Sequence, residues 1–277
     1  MERHRIRLRF RKEGELRFIS HRDLVRVFER IFRRAGFELS MTEGFHAKAR
    51  LSFPLALSLG IEGAEEIMEV ELQQPIAPEE IGRRLSDQSV AGLVIDQVIP
   101  MPPGSPKPRV RSVVYEILVP TDRHRSLVEL IEQRTNQSEW PVERIGKNQT
   151  IDVLPQLASL GLVDRKLRIE QRIHSEASFN PRDLLRDLEM DDLEEQGLVL
   201  RRQQVELKDS KFEDSELRDS ESEDNESEDN ESEDSKFEDS ESEDSELRDS
   251  ELRDSELRDS ELRDSELRDS ELRDSKH

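Results

Sequence analysis

The chain has 277 residues with no cysteine and a formal net charge of -22, because 65 Asp and Glu outnumber 43 Lys and Arg. Without cysteine, the chain cannot form a disulfide, attack with a thiolate or hold an iron-sulfur cluster through thiolates. Residues 209–277 contain 31 of the acidic and 10 of the basic side chains, which leaves 34 and 33 for residues 1–208. The acidity therefore belongs to the C-terminal segment and does not exclude an anionic partner for the rest of the chain.

The N-terminal part of the chain is basic, with 14 basic and 7 acidic side chains in residues 1–50. Its first residues, MERHRIRLRF, carry charges where a signal peptide needs an apolar core, and no apolar run approaches the roughly 20 residues of a membrane span. The sequence therefore predicts a cytoplasmic protein with no membrane segment. It contains no zinc-like spacing, glycine-rich phosphate loop or serine nucleophile elbow, so we expect no metal and no cofactor.

The first half of the chain predicts strands and helices in the order β-α-β-β-α-β. Residues 3–11 alternate arginine with apolar residues, which is typical of a half-buried strand, and LRFIS predicts a short strand after it. Ser20 is a candidate N-cap for a helix from His21 to Ala35 with one apolar stripe. Strands are predicted at 51–59 and 67–72, followed by a helix in PEEIGRRLSDQS and a strand in GLVIDQVIP. This is the order of a ferredoxin-like unit.

The second half predicts the same order again. VVYEILVP predicts a strand and residues 123–133 a helix, and strand material follows in PVERI and TIDVLPQL. LVDRKLRIEQRI alternates, Asn180 and Pro181 begin a helix in RDLLRDLEM, and LVLRRQQVEL predicts the last strand. We therefore predict an α+β protein of two tandem ferredoxin-like units, at residues 1–103 and 111–207.

The C-terminal segment, residues 208–277, consists of acidic five-residue repeats such as DSELR and DSESE. Five residues advance about 500° around an α-helix, so successive leucines form no stripe that could pack. Abundant Asp, Glu and Ser with few apolar residues is typical of disorder. The sequence predicts a disordered, low-complexity tail.

The predicted helix from His21 has a row of arginines at a spacing of four, and the loop after it adds two more cations. Like charges so placed repel by a few tenths of a kcal/mol each, which favours an anionic partner such as phosphate. The alternative is a solvated surface whose charge Asp23 and Glu29 partly offset. The candidate anion-binding residues are Arg22, Arg26, Arg30, Arg34, Lys48 and Arg50.

The arginines of the first strand could likewise bind an anionic partner or be neutralised within the protein. The outward face of such a strand is where RNA-recognition modules bind nucleic acid, and arginines there would contact phosphates without stacking on bases. Alternatively, Glu69 and Glu71 on the neighbouring strand would pair with these arginines across the sheet.

Two histidines raise the possibility of catalysis. His21, together with His46 in the segment GFHAKAR, supplies an acid and a base for metal-free RNA cleavage, with Lys48 or Arg50 stabilising the phosphorane. The alternative is that His21 simply begins the helix and that the two histidines are unrelated.

Two sequence blocks resemble an uncharacterised bacterial radical-SAM-associated domain family, domain of unknown function 2344. The first block is matched by Ser20, His21, Asp23, Arg26, Arg30, Arg33 and Arg34. The second is matched by Gly44, Phe45, Arg50, Ser52, Leu57, Gly60 and Glu66, with His46 directly after the Gly-Phe pair. IDVLPQL and NPRDLLRDL look like later motifs of the family, so the resemblance covers about residues 1–207. Thr42, Ala47 and Gly63 depart from the residues that the family usually has.

The resemblance implies an interaction partner but no activity, because the family has no established activity. Members are fused to, or encoded beside, a B12-binding radical SAM protein, commonly near genes for a ribonuclease E/G and ribosomal proteins. Our main hypothesis is therefore a non-catalytic accessory or substrate-presenting subunit for a radical SAM protein, binding RNA or a ribosome-related substrate. The alternatives are a metal-independent RNA endonuclease using His21 and His46, and a structural protein-protein interaction module.

Overall fold

The computed structural model describes residues 3–146, 148–173 and 178–208. The predicted disordered tail, apart from Lys208, lies outside these described residues. The described residues all belong to one compact unit, and none of their helices is long and apolar enough to cross a membrane.

The fold is a mixed α+β arrangement, with ten strands and four α-helices among the described residues. The strands are β1 His4–Lys12, β2 Leu51–Ser52, β3 Glu62–Leu72, β4 Leu93–Pro100, β5 Val110–Leu118, β6 Pro141–Glu143, β7 Thr150–Asp152, β8 Leu157–Val163, β9 Lys166–Arg172 and β10 Arg201–Leu207. The helices are α1 His21–Arg34, α2 Pro78–Gln88, α3 His124–Thr135 and α4 Pro181–Asp187.

Eight strands form one large mixed sheet that runs through both halves of the chain. Its order is β4-β1-β3-β10-β5-β9-β8, with the short β2 also paired to β3. All neighbours are antiparallel except β3 and β10, which are parallel and join the two halves. The hairpin of β6 and β7 forms a separate sheet of two strands.

Each half has its own apolar core between the sheet and its helices. On β1, Ile6, Leu8 and Phe10 are buried, as their alternation with arginine predicts. They pack with Leu24 and Phe28 of α1 in the first core. The second core is built around residues of β5, β9, α3 and α4, with the fully buried Trp140.

The starts of α1 and α4 confirm the predictions from capping residues. The Ser20 hydroxyl accepts a hydrogen bond from the Asp23 backbone N–H at 3.1 Å, which satisfies one of the free amides of α1. Asn180 and Asp183 form a reciprocal capping box at the start of α4, with Pro181 in the first turn. These local signals fix both helix starts.

Three predicted strands differ in the structure. LRFIS lies mostly in a 3₁₀-helix, Gly14–Phe18, and the predicted strand at 51–59 is reduced to β2, which ends shortly before Pro54. LVDRKLRIEQRI is not one strand, because Asp164 and Arg165 both have positive φ angles of 48° and 65°. Two consecutive residues with positive φ angles make a tight hairpin turn, so the chain reverses direction between β8 and β9.

The two halves have the same order of paired strands, β4-β1-β3-β2 in the first and β10-β5-β9-β8 in the second. In the second half, the β6–β7 hairpin lies in the sequence between α3 and β8. The two tandem ferredoxin-like units and their boundaries at 1–103 and 111–207 stay predictions.

Candidate anion-binding site

The arginines of α1 form an exposed basic surface. Arg22, Arg26, Arg30, Arg33 and Arg34 are all exposed. We call these five residues the α1 arginine row; it adds Arg33 to the predicted set, because Arg33 is exposed as well. The helix carries only Asp23 and Glu29 against these five cations.

Few of the cations in the α1 arginine row are neutralised within the described part of the chain. Arg26 lies 3.0 Å from the Asp23 carboxylate, in an exposed pair separated by one helical turn. Arg30 and Arg34 donate to backbone carbonyls, Arg30 within its own helix and Arg34 to Gln88 at the end of α2. Only Arg26 of the five has a carboxylate partner among the described residues, so most of the positive charge remains available to an anion.

The arginines of the first strand behave differently, because each lies within 4.0 Å of a carboxylate. Arg7 pairs with Glu69 at 2.9 Å, and both side chains are almost fully buried. Arg11 lies 3.1 Å from Asp96. The other pairs are Arg3 with Glu71, Arg5 with Glu69 and Arg9 with Glu65. The structure thus favours internal pairing for this strand over an open phosphate-binding surface.

The chain after β4 also covers part of this face of the sheet. Arg5 donates hydrogen bonds to the backbone carbonyls of Ser105 and Pro106. Arg7, Ser105 and Pro106 line the same small crevice. This segment thus occupies part of the face on which an RNA-recognition module binds nucleic acid.

A hairpin-like loop, residues 41–49, follows α1 in the chain. Met41 and Ala49 pair at its base, and the Thr42 backbone N–H donates to the Lys48 carbonyl at 2.8 Å. Residues 43–48 are exposed, including the predicted Lys48 and His46. Within the described chain, neither the Lys48 ammonium nor the His46 ring has a hydrogen-bond or ion-pair partner.

Arg50 makes structural contacts at the base of this loop, and its predicted role in anion binding stays a prediction. Its Nε donates to the Met41 carbonyl at 3.2 Å and lies 3.7 Å from Glu71 Oε2. The side chain is only 29% exposed. Arg50 therefore holds the loop against β3, and its charge is already neutralised in part.

The two candidate catalytic histidines lie at opposite ends of β1. His21 begins α1 just after the 3₁₀ turn that follows β1. His46 belongs to the 41–49 loop, whose Glu43 lies 3.8 Å from Arg3 at the start of β1. The nine residues of β1 separate its ends by about 26 Å. The elements that carry the two histidines thus approach different ends of β1, and RNA cleavage by this pair, which needs both at one phosphate, stays a prediction.

His21 instead contacts the second sequence block. Its ring packs edge-on against Phe53, with 4.9 Å between the ring centroids. Burial lowers the pKa of His21 below its ordinary value, and the charges of Lys12 and Arg202 lower this pKa further. His21 therefore favours the neutral form that packs on an aromatic ring.

A buried charged cluster, Lys12, Glu66 and Arg202, lies near His21 at the junction of the two halves. Arg202 Nε donates to Glu66 at 2.8 Å, a second nitrogen pairs with the other carboxylate oxygen, and both side chains are almost fully buried. Lys12 donates to the Ile19 carbonyl at 3.1 Å, which fastens the turn before α1. The cluster connects β1, β3 and β10.

The electrostatics of this cluster follow from its burial. Burial disfavours the charge on Arg202, but attraction and hydrogen bonding to Glu66 outweigh this and raise the pKa of Arg202. For Lys12, burial is the larger effect and lowers the pKa, although Glu66 opposes it. Burial also raises the pKa of Tyr115, although the nearby charge of Arg202 opposes this. Sequence reasoning missed the cluster, although Lys12 interrupts the alternation and Glu66 belongs to the second block.

The described residues contain no group of three or more His, Asp or Glu side chains that could hold a metal ion. The expectation of no metal and no cofactor nevertheless stays a prediction.

Comparison with known proteins identifies the family. Residues 5–186 match the model of a family described as "Uncharacterized protein conserved in bacteria (DUF2344)". The chain belongs to this family. The DUF2344 region contains α1, the 41–49 loop and two members of the buried cluster, and it ends before Arg202.

Two other comparisons add little to the DUF2344 assignment. No curated protein matches the chain. A crystal structure of an unknown protein from Galdieria sulphuraria is similar, with 12% identity, a TM-score of 0.24, and coverage of 74% of this chain and 99% of that chain.

Proposed function

We propose that this DUF2344 protein is a non-catalytic accessory subunit that binds RNA through the α1 arginine row and presents it, or a ribosome-related substrate, to a radical SAM enzyme. The observation that supports RNA binding is the contrast between α1 and β1. All five arginines near β1 lie close to a carboxylate, whereas only one of the five on α1 does so among the described residues. Unneutralised arginines on one helix face are suited to phosphate groups.

The 41–49 loop supports the same proposal. The loop begins shortly after α1 ends. Just before the loop, Leu39 pairs with Leu72 at the end of β3, which ties the start of the loop to the sheet. Lys48 and His46 add two donors near this end of the helix, and neither is used by the described part of the protein. Among the described residues, the loop and the α1 arginine row thus share one property, since Arg26 alone of these basic side chains has a carboxylate partner.

The partner and the fold units are further parts of the proposal. A radical SAM enzyme as the partner is supported by the resemblance of the two sequence blocks. Two tandem ferredoxin-like units are supported by the strand order, since β4-β1-β3-β2 and β10-β5-β9-β8 both correspond to the order of a split βαβ unit.

The test of RNA binding is the salt dependence of affinity for a labelled single-stranded RNA. Each phosphate contact releases counterions, so the logarithm of affinity falls with the logarithm of salt with a slope of about 0.7 per contact. Arg22→Gln, Arg30→Gln and Arg33→Gln should each weaken binding and reduce this slope by about one such increment. Arg83→Gln is the matched control on α2, because Arg83 is exposed but paired with Glu80 and Asp87.

The control variant should leave both affinity and slope unchanged. Unfolding midpoints should also stay the same for all three α1 variants, because these arginines make few internal contacts. If the wild-type protein shows no affinity for RNA at low salt, the nucleic-acid proposal is wrong. Protein-protein assembly with the radical SAM partner would then be the better explanation of the basic surface.

A further inference from the structure

The tip of the 41–49 loop holds a large apolar side chain in water. Phe45 is as exposed as a side chain can be, with a relative accessible surface of 106%, whereas the other exposed large apolar side chains of the described residues reach at most 56%. Its ring has no aromatic or cation contact within the described chain. A fully exposed phenylalanine forfeits the hydrophobic stabilisation of burial, which the apolar face of a partner would restore.

The backbone of the loop holds Phe45 at the tip. The pairing of Met41 with Ala49 and the hydrogen bonds between Thr42 and Lys48 close the base of the loop. Gly44 has a φ angle of 118°, a region that other residues rarely adopt, and it makes the turn just before Phe45. The ring thus projects from a defined hairpin.

The charges around Phe45 indicate what kind of partner offers that apolar face. His46 and Lys48 follow it with unused donors, and the acidic side chain before it, Glu43, lies 3.8 Å from Arg3. An aromatic ring close to the Lys48 ammonium, which has no ion-pair partner among the described residues, matches a ligand with flat apolar rings joined by phosphates. An apolar protein surface would instead desolvate that ammonium without giving it a partner.

We propose that Phe45 stacks on an unpaired base of a single-stranded nucleic acid whose phosphates contact Lys48 and the α1 arginine row. This inference rests on the proposed function and adds that the bound strand is unpaired. Bases inside a duplex have both faces covered by their neighbours and offer none to a loop tip, so single strands are selected over duplexes.

Affinity for an abasic strand separates stacking from phosphate binding. The full-length protein is titrated with an oligo-uridine strand and with an abasic ribose-phosphate strand of equal length. Phe45→Ala should weaken oligo-uridine binding about 5- to 150-fold, the usual value of one stacked base, and leave the abasic strand and the salt slope unchanged. Phe45→Tyr should retain the affinity. Leu59→Ala, which removes another exposed apolar side chain outside the loop, is the matched control.

Fluorescence provides an independent measurement of stacking. The chain has one tryptophan, Trp140, which is fully buried. In Phe45→Trp, the new indole is exposed, and oligo-uridine should quench its emission, whereas the abasic strand should not.

Two outcomes would overturn the inference and are distinguishable. If the wild-type protein binds oligo-uridine and Phe45→Ala binds it equally well, stacking is wrong while the phosphate-binding proposal stands. If the wild-type protein binds neither strand at low salt, both proposals are wrong.

Discussion

Replacing Glu66 by glutamine should destabilise the protein more than any surface substitution discussed above. Glu66 is 3% exposed, pairs with the buried Arg202, which is 1% exposed, and attracts the charge of the buried Lys12, which is 0% exposed. Glutamine keeps the size and a hydrogen-bonding group but removes the negative charge. Both cations then stay buried without the carboxylate that offsets their desolvation.

The expected loss is about 3–5 kcal/mol in the free energy of unfolding, the usual effect of removing one partner of a buried ion pair. Arg202 contributes most of this loss, because a guanidinium does not release its proton, whereas Lys12 can become neutral. The pKa of Lys12 is already lowered by burial, and the loss of Glu66 should lower it further. For a folded region of about 200 residues, this loss corresponds to a fall in Tm of about 6–20 °C.

The assay is urea unfolding of wild type, Glu66→Gln, Arg202→Met and the double variant at neutral pH. Because each single change leaves an uncompensated charge, the double variant should be less destabilised than the sum of the single variants. Glu129→Gln is the matched control, since Glu129 pairs with Arg125 on the surface of α3. It should change stability by less than about 0.5 kcal/mol. A loss below about 1 kcal/mol for Glu66→Gln, or simple additivity, would refute the reasoning.

Three further predictions concern the tail, a turn and a histidine. Removing residues 209–277 should leave the unfolding midpoint nearly unchanged, because both cores are built from residues before this segment; a large loss of stability in calorimetry would contradict this. Removal should also tighten RNA binding, because the acidic segment can compete with phosphate for the basic surface. Gly92→Ala should lower the stability by about 2 kcal/mol or more, since Gly92 has a φ of 83° and a Cβ there would lie 2.3 Å from the Glu13 carbonyl oxygen; denaturant unfolding measures this. The pKa of His21 is lowered, so the unfolded chain binds the proton first and stability falls as the pH drops below about 6.5; His21→Gln should reduce this fall, and an NMR titration midpoint of His21 above 6.5 would argue against it.

Features encoded by neighbouring residues were predictable from the sequence. The alternation in β1, the apolar stripe of α1 and the caps at Ser20 and Asn180 depend on spacings of two to four residues, and the structure confirms them. The exposure of the arginine row could be predicted for the same reason, because it follows from the helical period.

Features that depend on distant contacts were not predictable. The parallel pairing of β3 with β10 joins residues 139 positions apart, and the contact of Glu66 with Arg202 joins residues 136 positions apart. The hairpin at Asp164 and Arg165 was missed because neither residue is the glycine or asparagine that normally marks two consecutive positive φ angles. The structural role of Arg50 depends on the Met41 carbonyl, which only the folded loop brings near.

The position of β10 between β3 and β5 has a consequence for synthesis on the ribosome. At about 5–20 residues per second, Arg202 follows Glu66 out of the ribosome after about 7–27 s. During that interval, the nascent first half lacks both β10, which pairs with the start of β3, and the cation that pairs with Glu66. The first core contains no residue of β10 and can form before this strand arrives, but until then the growing chain presents an incomplete sheet to whatever binds it during translation.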